Sequence, residues 1–258
     1  MITLISVLVG GWIGQSISFS AALLIAGLIG FAVCAFGNIV NDINDIETDR
    51  INNPTRPLPS KALTVRSALL MAIVAFALPA IASFFLGAWQ FIIVITALLL
   101  LFLYSIHLKR TLVGNLTVAA IAGLSFVLGG LVTRNPMCII PLIFSIFVHL
   151  PREIVKDVID MKGDKAIGAT TLPIIVGPFR AYSVSALVLG ILCLLLPLPY
   201  VYGILNVVYI AIVLLFAYPV ILYTIWRLLR KPRSDELSVI STLIKASMVI
   251  GLFAMLVS

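Results

Sequence analysis

AALLIAGLIGFAVCAFGNIV, Ala21 to Val40, is 20 residues without a charge, and it runs straight into NDINDIETDR, Asn41 to Arg50, which holds four acids. A hydrocarbon slab about 30 Å thick takes about 20 apolar residues of helix, so the first stretch reads as a membrane span and the second as its end. The whole chain agrees: 62% of its 258 residues are hydrophobic and 10% charged, against about 45–50% and about 25% in soluble domains.

Uncharged windows of similar length, bounded by charge or by Gly and Pro, predict nine spans. They cover Ile2 to Ile17, Ala21 to Val40, Val65 to Leu86, Phe91 to Ile106, Leu112 to Val132, Cys138 to Val155, Ala181 to Leu198, Gly203 to Leu229 and Ser238 to Val257. The expected fold is an all-α, polytopic bundle of nine transmembrane helices with a central cavity opening to the cytoplasmic face. The N-terminal MITLISVLVGG has no basic lead-in and reads as a span instead of a signal peptide. Cys34, Cys138 and Cys193 lie in apolar windows without metal-ligand spacing and read as free thiols.

A net charge of +7 raises the possibility of nucleic acid, but the basic residues sit in short clusters between spans. Of 17 Lys and Arg, only Arg134 and Lys245 fall outside four alternate loops and their flanking helix ends. The positive-inside rule makes that face cytoplasmic. A multi-pass cell-membrane protein with no nucleic-acid partner follows.

All ten acids are on the same face, a gathering that topology does not require. Asn38, Asp42, Asp45 and Asp49 fall at i, i+4, i+7 and i+11, one stripe of a helix, and Glu153, Asp157, Asp160 and Asp164 repeat the spacing. An offset of 115 residues superposes the two sets of aspartates and places Arg50 on Lys165. The chain therefore reads as a single domain, 1–258, with two aspartate-motif halves, about 1–110 and 111–258.

Like charges one turn apart repel unless a cation neutralises them, and dense oxygen ligands suit Mg²⁺ completed by water and phosphate. A solvated helix end facing bulk water is the plainer alternative. An EF-hand is excluded, since a loop starting at Asp45 has Arg50 where Gly is needed and Arg56 where Glu is needed. Basic residues interleave with both rows, among them Arg50, Arg56, Arg152 and Lys156, with Tyr104, Lys109 and Arg110 nearby in YSIHLKR. Such cations suit phosphate oxygens, and Arg56 in the Pro-restrained NPTRPLP is the most constrained. His149 reads as a buried histidine bonded to a backbone carbonyl.

NDINDIETD matches the NDxxDxxxD signature, and DVIDMKGD the second aspartate motif, of the UbiA superfamily of intramembrane prenyltransferases, which the chain resembles over nearly its whole length. The resemblance implies that Asn41, Asp42, Asp45 and Asp49 hold Mg²⁺ and prenyl diphosphate, with Asn38 beside them, and that Asp157, Asp160 and Asp164 fill the second-motif role. Metal ligands are expected among Asp42, Asp45, Asp49, Asp160 and Asp164, and phosphate contacts from Lys109 with Arg110 or Lys156. Tyr104 and Lys109 stand one residue further apart than the YxxxK pattern.

The motif stretches are most similar to the archaeal branch that moves a geranylgeranyl group from geranylgeranyl diphosphate to the hydroxyl of geranylgeranylglyceryl phosphate, in ether-lipid synthesis. An aromatic acceptor is the alternative within the family. A transporter is the alternative outside it, although its acids would lie nearer the bilayer midplane.

Overall fold

The computed structural model describes residues 2–15 and 20–258 and contains helices, turns and loops, with no strand among the described residues. Helices α1 (Ile2–Trp12), α2 (Ala21–Asn44), α3 (Ile46–Asn52), α4 (Val65–Leu86), α5 (Ala88–Ile106) and α6 (Gly114–Thr133) are followed by α7 (Ile139–Ala166), α8 (Leu172–Val176), α9 (Pro178–Leu195) and α10 (Leu198–Val201). The chain ends in α11 (Val207–Ile212), a π-helical turn (Val213–Ala217), α12 (Tyr218–Leu229) and α13 (Ser234–Leu256).

Eight of the described helical segments are long and apolar enough to cross a membrane. The ninth expected span is shorter than anticipated: α1 has 11 residues, about 17 Å at 1.5 Å per residue, roughly half of a bilayer core. Its expected end at Ile17 lies outside the described residues. The other spans keep their places with shifted ends, most of all the sixth, where α7 continues as one 28-residue helix from the apolar segment through the whole second acid row to Ala166.

Large apolar side chains cover the outside, with Phe85 81% and Leu194 75% exposed, as a lipid solvent requires. Inside are two cores. One gathers Phe126, Phe144, Ile154, Leu189, Tyr209, Ile221 and Ile244; the other gathers Leu23, Ile29, Phe36, Val94, Leu98 and Leu128. Helix α1 wedges between them, giving Val9 and Ile13 to the first and Val7 and Trp12 to the second.

The wedge fits because α1 and α6 cross through glycines. A Cβ on Gly129 would lie 1.9 Å from the Val7 carbonyl oxygen, and one on Gly10 2.1 Å from that of Phe126. Small residues at such crossings let backbones meet where no hydrophobic effect drives helices together.

Candidate active site

Helix α2 delivers the first acid row, but the row is not on one unbroken helix. Asp45 has φ −92° and ψ 1° and separates α2 from α3. The bonds from Asp45 N to Asn41 O (2.9 Å) and from Asp49 N to Asp45 O (2.7 Å) nevertheless carry the helical ladder across the break. Asp45 and Asp49 stay aligned and are 7% and 5% exposed, which removes the reading of a solvated helix end.

A buried carboxylate needs a partner, and each of these has a cation. Lys109 Nζ bonds Asp45 Oδ2, which also accepts from Asn41 Nδ2 at 2.7 Å. Arg56 Nη1 bonds Asp49 Oδ2 at 2.8 Å, and Asn53 Nδ2 reaches Asp49 Oδ1 at 3.4 Å. Burial acts to lower the basicity of the Arg56 guanidinium, but its bond to Asp49 and the charges of Asp49, Asp42 and Asp45 outweigh it and hold the group above the ordinary arginine value.

The second row is treated differently. Glu153, 6% exposed, takes both local cations, Arg152 at 2.7 Å and Lys156 at 2.9 Å. Asp157 Oδ2 accepts from the neutral amide of Asn115 at 2.7 Å. Asp160 and Asp164 have no ion-pair partner among the described residues. Between them, Gly163 lets α3 approach α7, since a Cβ there would stand 2.5 Å from Asn52 Nδ2.

The two rows therefore meet. Asp45 and Asp49 line one polar vestibule of about 100 Å³ together with Asp157, Asp160 and Asp164. Asn41, Arg56, Tyr104, Lys109, Arg110 and Lys156 share its wall. Asp45 is within electrostatic reach of both Asp160 and Asp164.

Asn41, Tyr104, Lys109, Glu153 and Lys156 also line a second and larger chamber of about 420 Å³, walled by residues such as Val33, Val94, Leu101, Ile121 and Leu128. The vestibule and the chamber thus lie side by side across a shared wall, the first polar and the second largely apolar. Asn38, Arg152 and His149 belong to the chamber wall. No hydrogen bond joins His149 to a backbone carbonyl among the described residues, so that expectation is not met.

Two expected site residues stand apart. Asp42, half exposed, lines a lateral pocket with Arg56, Pro57 and Met71 and lies 3.5 Å from Arg56 Nη1. Arg50 is one residue past inward-facing Asp49, a rotation of about 100° on a helix, and points out to pair with Glu47 at 2.7 Å. Asn115 was not anticipated. A lone Asn in the apolar window Leu112 to Val132 is the signal that marks it, since polar groups at membrane depth need a partner.

The connections over the vestibule are ordered as short elements. The turn Leu108–Arg110 carries Lys109, and Thr170 N–H donates to Arg110 O at 2.8 Å, tying the segment after α7 to that turn.

A divalent ion fits this chemistry in a limited way. The donors are oxygens, and Asn41 Oδ1 is buried without a hydrogen-bond partner. Yet no three acids or histidines among the described residues converge as a ready-made cage. Mg²⁺ commonly takes one or two carboxylates and completes its shell with water and substrate phosphate, so the site suits a metal that arrives with a diphosphate.

A polytopic helical bundle with an acid-lined vestibule beside an apolar chamber defines the class, and the chain belongs to the UbiA prenyltransferase family, which it matches over residues 3–248. It is a prenyltransferase. Digeranylgeranylglyceryl phosphate synthase of Methanosphaera stadtmanae is 34% identical over 97% of this chain and 92% of its own length. A solved digeranylgeranylglyceryl phosphate synthase superposes with a TM-score of 0.78 at 32% identity, over 99% of this chain and 91% of the other. The fold is also that of a UbiA homolog from Archaeoglobus fulgidus bound to DMAPP and Mg²⁺, at TM-score 0.70 and 20% identity over 100% of this chain and 95% of that one.

Proposed function

We propose that this enzyme transfers the geranylgeranyl group of geranylgeranyl diphosphate to the free hydroxyl of geranylgeranylglyceryl phosphate, giving an ether-lipid precursor and diphosphate. The observation that carries the reading is the wall shared by the acid-lined vestibule and the apolar chamber: a diphosphate head and a prenyl tail need those two environments side by side. The choice of acceptor is supported by the likeness to the synthases named above.

The metal assigned is Mg²⁺, in keeping with the ion bound by the A. fulgidus homolog. Asp45, Asp49, Asp160 and Asp164 are its proposed ligands, with Asp42 at the side. When bound, the ion neutralises the diphosphate as its bond to the prenyl C1 breaks.

The chain's own residues supply the rest. Lys109, Arg110 and Arg56 grip phosphate oxygens, and Asn41 offers its amide to the head group. The apolar wall keeps water from the allylic cation, which would otherwise be captured as the alcohol. The acceptor oxygen forms the new bond to C1, and its proton passes to a second-row carboxylate, Asp160 or Asp164.

The vestibule is assigned to the cytoplasmic side on the distribution of Lys and Arg. The two aspartate-motif halves, about 1–110 and 111–258, each give one row.

The deciding assay uses purified protein, Mg²⁺, geranylgeranyl diphosphate and a panel of geranylgeranylglyceryl phosphate and aromatic acids, with mass spectrometry of the lipid products. The digeranylgeranyl ether of glyceryl phosphate is expected. Prenylation of an aromatic ring alone would overturn the acceptor.

A further inference from the structure

Asn115 is 5% exposed on the first turn of α6, and it reaches across to α7 instead of satisfying itself at home. Ser105, Thr117 and Ser125 all bond carbonyls of their own helices or the preceding residue. Asn115 Nδ2 instead donates to Asp157 Oδ2, 42 residues away, at 2.7 Å.

Asp45, Asp49 and Glu153 each have a Lys or Arg partner, whether or not an amide also bonds them, whereas Asp157 has only the amide of Asn115 among the described residues. A cation orients a carboxylate and cancels its charge; an amide orients it and leaves the charge in place. Two cations close to Asp157 in the chain, Arg152 and Lys156, are paired with Glu153. Asp157 Oδ1 has no hydrogen-bond partner among the described residues.

The preceding residue does a related job. A Cβ on Gly114 would stand 2.5 Å from the Leu108 carbonyl oxygen, so the turn that carries Lys109 rests directly on the start of α6. Two consecutive residues thus set the counter-ion of one row and the carboxylate of the other.

We propose that Asn115 is a positioning residue: it fixes the orientation of the Asp157 carboxyl in the wall of the vestibule, so that Oδ1 is available to a divalent ion bound with the diphosphate head. This role rests on the function proposed above.

The test is calorimetric titration of the purified full-length protein with inorganic pyrophosphate and Mg²⁺, for wild type, Asn115→Leu, Asp157→Asn and the double variant, with a thermal melt of each. Asn115→Leu should weaken binding about tenfold, the scale of a hydrogen bond to a charged group, with its melting temperature within a few degrees of wild type. The double variant should bind no more weakly than Asp157→Asn alone, because Asn115 acts through that carboxylate.

Unchanged affinity in Asn115→Leu, or a full additional loss in the double variant, would overturn the role. If Asn115→Leu fails to fold, Asn115→Ser replaces it in the same cycle. Absence of binding by the wild type would overturn the metal–diphosphate reading itself, whereas wild-type binding that Asn115→Leu leaves untouched would overturn the positioning role alone.

Discussion

Lys109 bonds Asp45 from 64 residues further along the chain, so a lysine on the turn after α5 neutralises a carboxylate at the end of α2. Replacing that lysine leaves Asp45 buried and unpaired. Breaking a fully buried pair costs about 3–5 kcal/mol; Lys109 is 33% exposed, which lowers the figure. Lys109→Met should melt several degrees lower and lose most transfer activity. Adding Asp45→Asn should recover part of the melting temperature and none of the activity, because it removes the stranded charge without restoring a phosphate contact. Melts and turnover of the two variants check both parts.

Arg50 and Arg56 are six residues apart and should behave oppositely. Arg50 makes an exposed pair with Glu47, worth about 0–1 kcal/mol. Arg50→Ala should keep transfer within about twofold of wild type, a change under 1 kcal/mol. Arg56→Ala strands Asp49 and removes a vestibule cation, and kcat/KM should fall about a hundredfold or more, about 3 kcal/mol. Steady-state kinetics with Mg²⁺ and geranylgeranyl diphosphate distinguishes them. Equal losses would contradict the outward placement of Arg50.

Chelation should stop transfer and leave the fold intact. Lys109 and Arg56 neutralise the buried acids of the first row when no ion is present, so EDTA should change the melting temperature little. Mg²⁺ together with pyrophosphate should raise it by mass action, about 2.7 kcal/mol at a hundredfold excess over Kd. Unfolding on chelation alone would mean that the metal has a structural role.

The α1–α6 crossing should tolerate no methyl group. A Cβ on Gly129 meets a backbone oxygen at 1.9 Å, and no rotamer change relieves that. Gly129→Ala should cost about 1–3 kcal/mol or more through overpacking. Gly190→Ala and Gly251→Ala, where a Cβ meets nothing within 4 Å, should melt at or above the wild-type temperature. Thermal melts in one detergent make the comparison.

Much of this site was legible from residue spacing. The i, i+4, i+7 pattern placed Asp45 and Asp49 together, and Asp157, Asp160 and Asp164 together, because a helix maps spacing onto direction. Spacing could not show that Asp45 sits at a helix break, nor that Arg50 turns outward. Glu153 aligns with Asn38 at the same offset, yet it serves as a counter-ion for Arg152 and Lys156. That difference comes from burial, which a one-dimensional pattern does not carry. The bond from Asn115 to Asp157 is a tertiary contact between two spans and leaves no local spacing signature; only an isolated amide in an apolar run announces it.

Helix α1 carries a consequence for biogenesis. Val9 and Ile13 pack in a core that also holds Ala254 and Met255 near the far end of the chain, while Val7 packs among α2, α5 and α6. Helix α1 therefore finds these surroundings only after α13, more than 200 residues further along, has been made. Until then α1 has one flank uncovered, and the order of synthesis is not the order of assembly.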